Sequence, residues 1–243
     1  MSIIGINGKI GSGKDTVGKI IQWLTKPESD GQYIGFETYD DATLERNSSF
    51  KIKKYAGKLK QMASLLTGIP VEKFEDQQFK KTDLPNEWVY VENGYAARNM
   101  TVRDFLQKLG TEAMRDGLHT NVWVNALFAD YVPRLQFEKS FHGMKGAVPV
   151  EEPNWIITDM RFPNEMEAVV ERKGITIRVT SPFIRFSDGS YRAKSKMMGD
   201  FNNEHPSETS LDDAKFDYEI INDAGISELI EKVRQILTIE KII

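Results

Sequence analysis

The chain has 243 residues, of which 40% are hydrophobic and 28% charged, and it carries a formal net charge of −4. This length is enough for one large α/β core and short for two independent domains, and the acidic balance argues against a protein that coats nucleic acid with a broad basic surface. The absence of cysteine excludes disulfides and thiolate metal sites, and the three histidines are too scattered to suggest a zinc site.

The sequence carries no signal for a membrane span or for export. No apolar run approaches the roughly 20 residues that cross a bilayer, and the first residues lack a basic segment followed by a long apolar one. We therefore expect a soluble, cytoplasmic protein.

The first part of the chain predicts a strand, a glycine-rich loop and a helix, and then a second strand and helix. The run 2–7 is apolar, and apolar residues recur at helical spacing over 15–24. A polar, turn-rich stretch over 26–49 predicts a surface excursion. It is followed by a predicted strand over 50–55 and a helix that ends at Gly68.

The middle of the chain predicts a hairpin, a helix and a loop. An Asn-Gly pair at 93–94 lies between apolar-rich arms, which is a hairpin signal. Thr101 stands three residues before Asp104, an acidic version of the capping box that opens a helix. The glycines and prolines of 136–153 predict a loop.

The last part of the chain alternates strands with helices. The sequence predicts a strand over 155–159, a helix over 164–174 and a strand over 175–180. After a long polar segment over 183–210, it predicts a strand over 218–222 and a helix over 226–237. The alternation predicts an α/β protein with a doubly wound, largely parallel sheet.

A phosphate-binding loop is predicted between the first strand and the first helix. Residues 8–14 match the pattern G-x-x-x-x-G-K in that structural context. In such a loop the glycines let backbone N–H groups converge on phosphate oxygens, and the lysine reaches the β- and γ-phosphates. The residues assigned to the nucleotide here are Gly8, Gly11, Ser12, Gly13, Lys14, Asp15 and Thr16.

Asp15 stands where a serine or threonine normally follows the loop lysine. A carboxylate at this position can hold Mg²⁺ directly or through water, or can steer a cation near the transferring phosphate. The alternative is an ordinary acid in the first helical turn that complements the helix dipole.

A second part of the site is predicted at the end of the strand over 155–159. Asp159 and Arg161 fall at the sheet edge where ligands of such folds bind. Asp159 is read as a Walker-B acid that holds Mg²⁺ through water, and Arg161 as a phosphate ligand. A turn-forming aspartate and a surface arginine are the alternative.

These motifs resemble one family, the bacteriophage-type deoxynucleoside monophosphate kinases of the P-loop nucleoside monophosphate kinase fold. The similar stretches, in family order over most of the chain, are GKIGSGKDT, YAGKLKQMASLLTG, VRDFLQKLGTE, WIITDMRFPNEMEAV and YEIINDAGISELIEKV. The Gly-Lys-Asp-Thr ending of the loop is similar to the loop of that family.

The resemblance implies a single P-loop NTPase-type, three-layer α/β domain over 1–243, with an acceptor-binding region over about 50–137 and a lid over about 183–210. It also implies transfer of the ATP γ-phosphoryl group to a deoxynucleoside monophosphate, with ATP and Mg²⁺ as cofactors. The partners are then small-molecule substrates, without stable nucleic-acid or membrane binding, and a homodimer is compatible with the resemblance.

The resemblance also assigns site residues. Catalytic roles fall to Lys14, Asp15, Arg161, Arg185 and Arg192, the last two in the lid, and metal binding to Asp15 and Asp159. The acceptor is assigned to Lys58, Arg103, Gln107 and Arg161, and Asn222 lies in a segment similar to the one that flanks adenine. Gly110 shares a helical stripe with Arg103 and Gln107 and is expected to let the ligand approach. The alternatives are solvated helix-edge residues at 103 and 107, and a mobile charged loop in place of a lid.

Two other functions are compatible with the same loop. One is another small-molecule kinase of this fold, such as dephospho-coenzyme A kinase, which usually has serine or threonine after the loop lysine. The other is a nucleotide-binding regulator or a nucleic-acid-associated ATPase, which the acidic composition disfavours.

Overall fold

A computed structural model describes residues 2–27, 35–92, 95–132, 134–140, 143–151, 153–185, 191–193 and 209–243. They form two compact units. The sheet unit comprises Met1–Lys54 and Tyr131–Ile243, and the helical unit comprises Tyr55–Asp130. The expectation of a single domain over 1–243 stays a prediction.

The strands, in chain order, are β1 (Ile3–Asn7), β2 (Phe50–Lys53), β3 (Tyr90–Glu92), β4 (Tyr95–Arg98), β5 (Arg134–Ser140), β6 (Gly143–Glu151), β7 (Asn154–Ile157), β8 (Ile175–Thr180), β9 (Phe183–Arg185), β10 (Tyr191–Ala193) and β11 (Tyr218–Ile221). The α-helices are α1 (Lys14–Leu24), α2 (Asp41–Asn47), α3 (Ala56–Thr67), α4 (Val102–Gln107), α5 (Val122–Phe128), α6 (Pro163–Glu171) and α7 (Ile226–Ile239). A π-helix, Lys108–Asp116, continues α4, and short 3₁₀ turns cover Phe36–Thr38, Val71–Glu75, Phe79–Lys81 and Asn86–Trp88.

Five parallel strands form the sheet of the sheet unit, in the order β11-β8-β1-β7-β2. The central strand β1 aligns Ile4 with Ile156 of β7 and with Ile175 of β8. The predicted α/β class with a largely parallel, doubly wound sheet is confirmed.

Helices cover both faces of this sheet. On one face, apolar strand residues pack against α1 and α7 in a core of Ile4, Ile6, Val17, Ile20, Ile21, Phe50, Ile156, Ile177, Val179, Ile220, Leu229, Val233, Ile236 and Leu237. On the other face, α6 lies so close to β1 that a Cβ at Gly5 would meet Met160 Sδ at 3.0 Å and Val169 Cγ2 at 3.2 Å. The sheet unit therefore has three layers, as expected for the predicted fold.

The parallel arrangement places the carboxyl ends of all five strands at one edge of the sheet. The phosphate-loop sequence follows β1, Lys54 follows β2, and Thr158 follows β7. Asn222 follows β11 at the same edge. Ligands of open α/β sheets bind at this edge, so the topology brings the candidate site residues of the sheet unit together.

The helical unit has its own small core of Ala63, Phe74, Leu84, Val102 and Phe105. The ring of Trp88 packs edge-on against Phe105, with ring centroids 4.9 Å apart. At the start of α4, Thr101 Oγ1 accepts a hydrogen bond from the Asp104 N–H, and the Asp104 carboxylate accepts one from the Thr101 N–H. The predicted capping box is confirmed.

Replacement of Thr101 by alanine is expected to lower the free energy of unfolding of the helical unit by about 0.5–2 kcal/mol, because it removes an N-cap acceptor. Urea unfolding followed by tryptophan fluorescence measures this, since Trp88 lies against α4. Thr111→Ala is the matched control, because the structure gives that side chain no hydrogen bond within the described part of the chain. Equal losses in the two variants would contradict a specific capping effect.

One element differs from expectation. The stretch 136–153 is predicted as a loop, but β5 and β6 pair there as an antiparallel hairpin. Glycine and proline argued against strands, yet Pro149 is accommodated opposite Leu135, next to a register shift where a regular ladder hydrogen bond is not required.

Among the helices that the structure describes, none is long and apolar enough to cross a membrane.

Candidate active site

The loop between β1 and α1 has a backbone that requires glycine. Gly11 and Gly13 adopt φ values of 78° and 96°, in the left-handed region that other residues rarely enter. A Cβ at Gly13 would also lie 2.4 Å from Asn222 Nδ2. The Ser12 N–H bonds to the Lys9 carbonyl at 3.1 Å and closes the turn. Successive backbone N–H groups in such a turn, followed by a helix N-terminus, form a concavity that suits an anion.

Ser12 lies in the floor of this loop. The residue is 1% exposed, and its Oγ has no hydrogen-bond partner among the residues that the structure describes. A Cβ at Gly8 would fall 2.4 Å from this Oγ, so the loop closes tightly around it. Leaving a buried hydroxyl unpaired costs about 1–3 kcal/mol. The loop therefore fits a bound phosphate, whose oxygens would supply the missing partner.

Asn222, which directly follows the outer strand β11, fixes the phosphate loop. Its backbone N–H bonds to the Thr180 carbonyl at 2.7 Å, and its side-chain amide donates to the Ser12 carbonyl at 3.0 Å. The sequence assigned Asn222 to the nucleotide, and that assignment stays a prediction. In the structure its side chain positions the phosphate loop.

Asp15, the unusual acid, contacts two residues from neighbouring strand ends. Thr158 Oγ1 donates a hydrogen bond to Asp15 Oδ1 at 3.1 Å, and Lys54 Nζ lies 3.4 Å from the same oxygen. Thr158 is fully buried, while the side chain of Asp15 is 57% exposed. Both contacts are made to Oδ1, so the Asp15 carboxylate is held through one of its two oxygens at the mouth of the loop.

Opposing effects act on the pKa of Asp15. Partial desolvation, the largest single effect, raises the pKa. The positive charges of Lys54 and Lys14, together with hydrogen bonds from Thr158 and Lys54, outweigh it and hold the pKa below the usual 3.8. Asp15 is ionised at neutral pH.

This lowered pKa predicts a pH-dependent contribution to stability. A depressed folded-state pKa stabilises the protein above the unfolded-state value of 3.8, and this contribution is lost as the pH falls through the folded-state pKa. The effect is expected to stay below about 1 kcal/mol, because the pair is largely solvated. Urea unfolding of the wild type and of Asp15→Asn from about pH 7 to about pH 2.5 tests it. The wild type should lose more stability than the variant on acidification, and parallel profiles would contradict the assignment.

Asp159 and Arg161 lie in a segment that is tied to β1. The Met160 N–H donates to the Ile6 carbonyl at 3.3 Å, and Asn7 Nδ2 donates to the Met160 carbonyl at 2.9 Å. Both predicted residues therefore stand next to the end of β1, where the phosphate loop begins.

Glu165 holds the start of α6 in the same segment. It is 4% exposed, and its Oε2 accepts hydrogen bonds from the backbone N–H groups of Arg161 and Phe162 at 2.7 and 3.0 Å. The backbone that carries Arg161 is thereby fixed at the site edge.

Within the described residues, no group of three or more metal-ligating side chains comes together. Asp15 and Asp159 are the two predicted ligands. A pair of carboxylates is within the number of protein ligands, one or two, with which Mg²⁺ is bound beside nucleotides, since several waters and the phosphates supply the other ligands. Metal binding by these two residues stays a prediction.

The predicted acceptor residues lie in the helical unit, apart from Arg161. Lys58 Nζ pairs with Asp130 Oδ2 at 2.9 Å, and Arg103 Nη2 donates to Gln77 Oε1 at 3.3 Å. Arg103 and Gln107 are both partly exposed on α4. Their role in binding an acceptor stays a prediction.

Gly110 was expected to leave room for a ligand on that helix. A Cβ there would instead lie 2.8 Å from Leu59 Cδ2, and the Gly110 carbonyl accepts a hydrogen bond from Trp123 Nε1 at 2.8 Å. Gly110 therefore serves close packing between helices.

The predicted lid, 183–210, is only partly described. Arg185 lies in β9 and Arg192 in β10, and these strands pair in register Tyr191↔Arg185 and Arg192↔Ile184. Residues 186–190 and 194–208 of the predicted lid lie outside the described residues. The lid stays a prediction.

Sequence reasoning missed Lys54 and Thr158. Each is the first residue after a strand, and parallel strand ends share the ligand-binding edge of a sheet. A polar residue directly after a predicted parallel strand was the available signal. The order of the strands, which brings both residues to Asp15, could not be read from that signal.

Comparison with known proteins gives one informative similarity. The chain is 24% identical, over a 264-residue alignment that covers 90% of it and 89% of the relative, to a deoxynucleoside-5'-monophosphate kinase of Escherichia phage T5. No protein-family model matches the chain. A crystal structure of TT1252 from Thermus thermophilus covers 98% of the chain at 16% identity with a TM-score of 0.44, which is too low to establish a common fold. The sequence similarity supports a distant relationship between this chain and a nucleotide kinase.

Proposed function

We propose that the protein is an ATP-dependent deoxynucleoside monophosphate kinase that transfers the γ-phosphoryl group of ATP to a deoxynucleoside monophosphate, giving the diphosphate and ADP. The observation that carries the proposal is the loop at the start of α1, with two left-handed glycines and a buried, unpartnered Ser12 hydroxyl. The relative of phage T5, named a deoxynucleoside-5'-monophosphate kinase, supports the choice of reaction.

The phosphate loop binds the donor in this proposal. The backbone N–H groups around Ser12 and Gly13 hold the β-phosphate at the N-terminus of α1, and Thr16 holds the α-phosphate. Lys14, the first residue of α1, stabilises charge on the transferring group.

Mg²⁺ fits the two carboxylates near the loop. Asp15, directly or through water, and Asp159, through water, would hold the ion, and the ion would neutralise negative charge on the β- and γ-phosphates. Arg161, on its fixed backbone, contacts a phosphate oxygen in the proposal.

The acceptor is assigned to the helical unit, with Arg103 on its phosphate, Gln107 on its base and Lys58 as a further cation. Arg185 and Arg192 close over the phosphates and exclude water, which would otherwise hydrolyse ATP. Small-molecule substrates are the proposed partners, and the cytoplasm is the proposed location.

A coupled assay of ADP release tests the reaction. The acceptors are the four deoxynucleoside monophosphates, the matching ribonucleotides and dephospho-coenzyme A. Formation of ADP and a deoxynucleoside diphosphate in equal amounts is the expected result. Turnover with dephospho-coenzyme A alone would overturn the proposal in favour of another small-molecule kinase. ATP hydrolysis that DNA stimulates and monophosphates leave unchanged would indicate a nucleic-acid-associated ATPase.

A further inference from the structure

Asp15 creates an electrostatic problem in the phosphate loop. A carboxylate at the N-terminus of α1 cancels the charge of the adjacent Lys14 and repels a polyphosphate. The other loop lysine, Lys9, pairs with Asp212 at 3.5 Å. A loop that binds nucleotide phosphates therefore benefits from an additional cation beside Asp15.

Lys54 supplies that cation. It directly follows β2, and the Thr158 N–H donates to the Lys53 carbonyl at 3.3 Å, so the ends of β2 and β7 are joined at this point. The two neighbouring residues Lys54 and Thr158 then converge on the same oxygen, Asp15 Oδ1, at 3.4 and 3.1 Å. The structure shows no hydrogen bond or ion pair to Oδ2 within the described residues.

We propose that Lys54 is a positioning residue for the phosphate loop. It neutralises the charge of Asp15 and holds the Oδ1 atom in place, so that the loop binds a nucleoside polyphosphate although it contains a carboxylate. This inference rests on the proposed function to the extent that the loop must bind a nucleotide. Without Lys54, the carboxylate keeps its hydrogen bond from Thr158, but Lys14 must then offset the charge of Asp15 and attract the phosphates at the same time.

The proposal predicts that Lys54 and Asp15 are coupled. Loss of Lys54 weakens nucleotide binding when Asp15 carries a charge, and it has little effect when that charge has been removed. A lysine that acted on the phosphates directly would give the same loss in both backgrounds. A double-mutant cycle separates the two cases.

The experiment is calorimetric titration of ATP in EDTA, so that no divalent ion neutralises Asp15. The variants are Lys54→Met, Asp15→Asn and the double variant, with thermal unfolding as a check on the fold. Lys54→Met is expected to weaken binding about three- to fivefold in the wild-type background, as for a partly exposed ion pair, and by less than about twofold in the Asp15→Asn background.

Two further variants make the test specific. Lys54→Arg keeps the charge and is expected to bind ATP within about twofold of the wild type. Lys53→Met is the matched control, because this neighbouring lysine lies over the Trp155 ring at 5.3 Å and its loss should leave binding unchanged. Equal losses from Lys54→Met in both backgrounds, or no loss in either, would overturn the role of Lys54. A wild-type protein that binds ATP neither in EDTA nor with Mg²⁺ would instead overturn the proposed function.

Discussion

Replacement of Lys14 by alanine is expected to abolish phosphoryl transfer to every acceptor, with a fall in kcat of at least about 10²- to 10³-fold. The transferring group carries negative charge on its oxygens, and phosphoryl transfer depends on positioning and charge stabilisation more than on a general base. Lys14 begins α1 at the mouth of the loop and is outside the apolar core. The loss should therefore be one of turnover, with little change in folding.

Lys19→Ala is the matched control for this variant. Lys19 lies on the same helix and forms an ion pair with Asp41 at 2.6 Å, away from the loop. Its replacement should leave kcat within about twofold of the wild type, as for an ordinary surface substitution. The measurements are ADP release with a panel of monophosphates and thermal unfolding of both variants. Near-normal turnover by Lys14→Ala would remove the kinase proposal.

The central sheet could be predicted because its inner strands β1 and β7 are buried on both faces. Residues 155–157 form a continuous apolar run, and all three are at most 2% exposed. Such runs, separated by helical periodicity, indicate parallel strands covered by helices. The phosphate loop could be predicted for a similar reason, since its glycines satisfy backbone requirements that few other residues meet.

The ion pair of Asp15 could not be predicted from the same information. Lys54 is distant from Asp15 in sequence, and only the strand order β1-β7-β2 brings the end of β2 to the loop. Sequence periodicity indicates that strands exist, but it does not fix their order or register. The sequence therefore showed that the acid was unusual and left its partner unidentified.

The two local errors have a common cause. Pro149 was taken as evidence for a loop, and Gly110 as room for a ligand, from residue type alone. In the structure Pro149 lies in β6 near a register shift. The space beside Gly110 is filled by the side chain of Leu59 from the neighbouring helix α3. Glycine and proline indicate that the backbone is sterically restricted at their positions. The cause of the restriction becomes visible only in the packing around each residue.

The most discriminating test of the acceptor assignment concerns Arg103 and Gln107. They are four residues apart on α4, which places them about 6 Å apart along the helix axis at 1.5 Å per residue. Their long side chains can therefore engage the phosphate and the base of one nucleotide. An arginine on the phosphate acts on every monophosphate alike, whereas a glutamine on a base edge presents a donor and an acceptor and must favour some bases.

Arg103→Ala is accordingly expected to weaken all acceptors together, and Gln107→Ala to change their ranking, with a loss of about 1–3 kcal/mol for the favoured base if its buried polar group is left unpaired. Both variants should bind ATP as the wild type does. Lys108→Ala, which breaks an ion pair with Glu112 at 3.1 Å on the following π-helix, is the control for a surface change nearby. The measurement is kcat/KM for four deoxynucleoside monophosphates with each variant. A small, uniform effect of both substitutions, no larger than that of Lys108→Ala, would place Arg103 and Gln107 on a solvated helix edge and assign the acceptor to other residues.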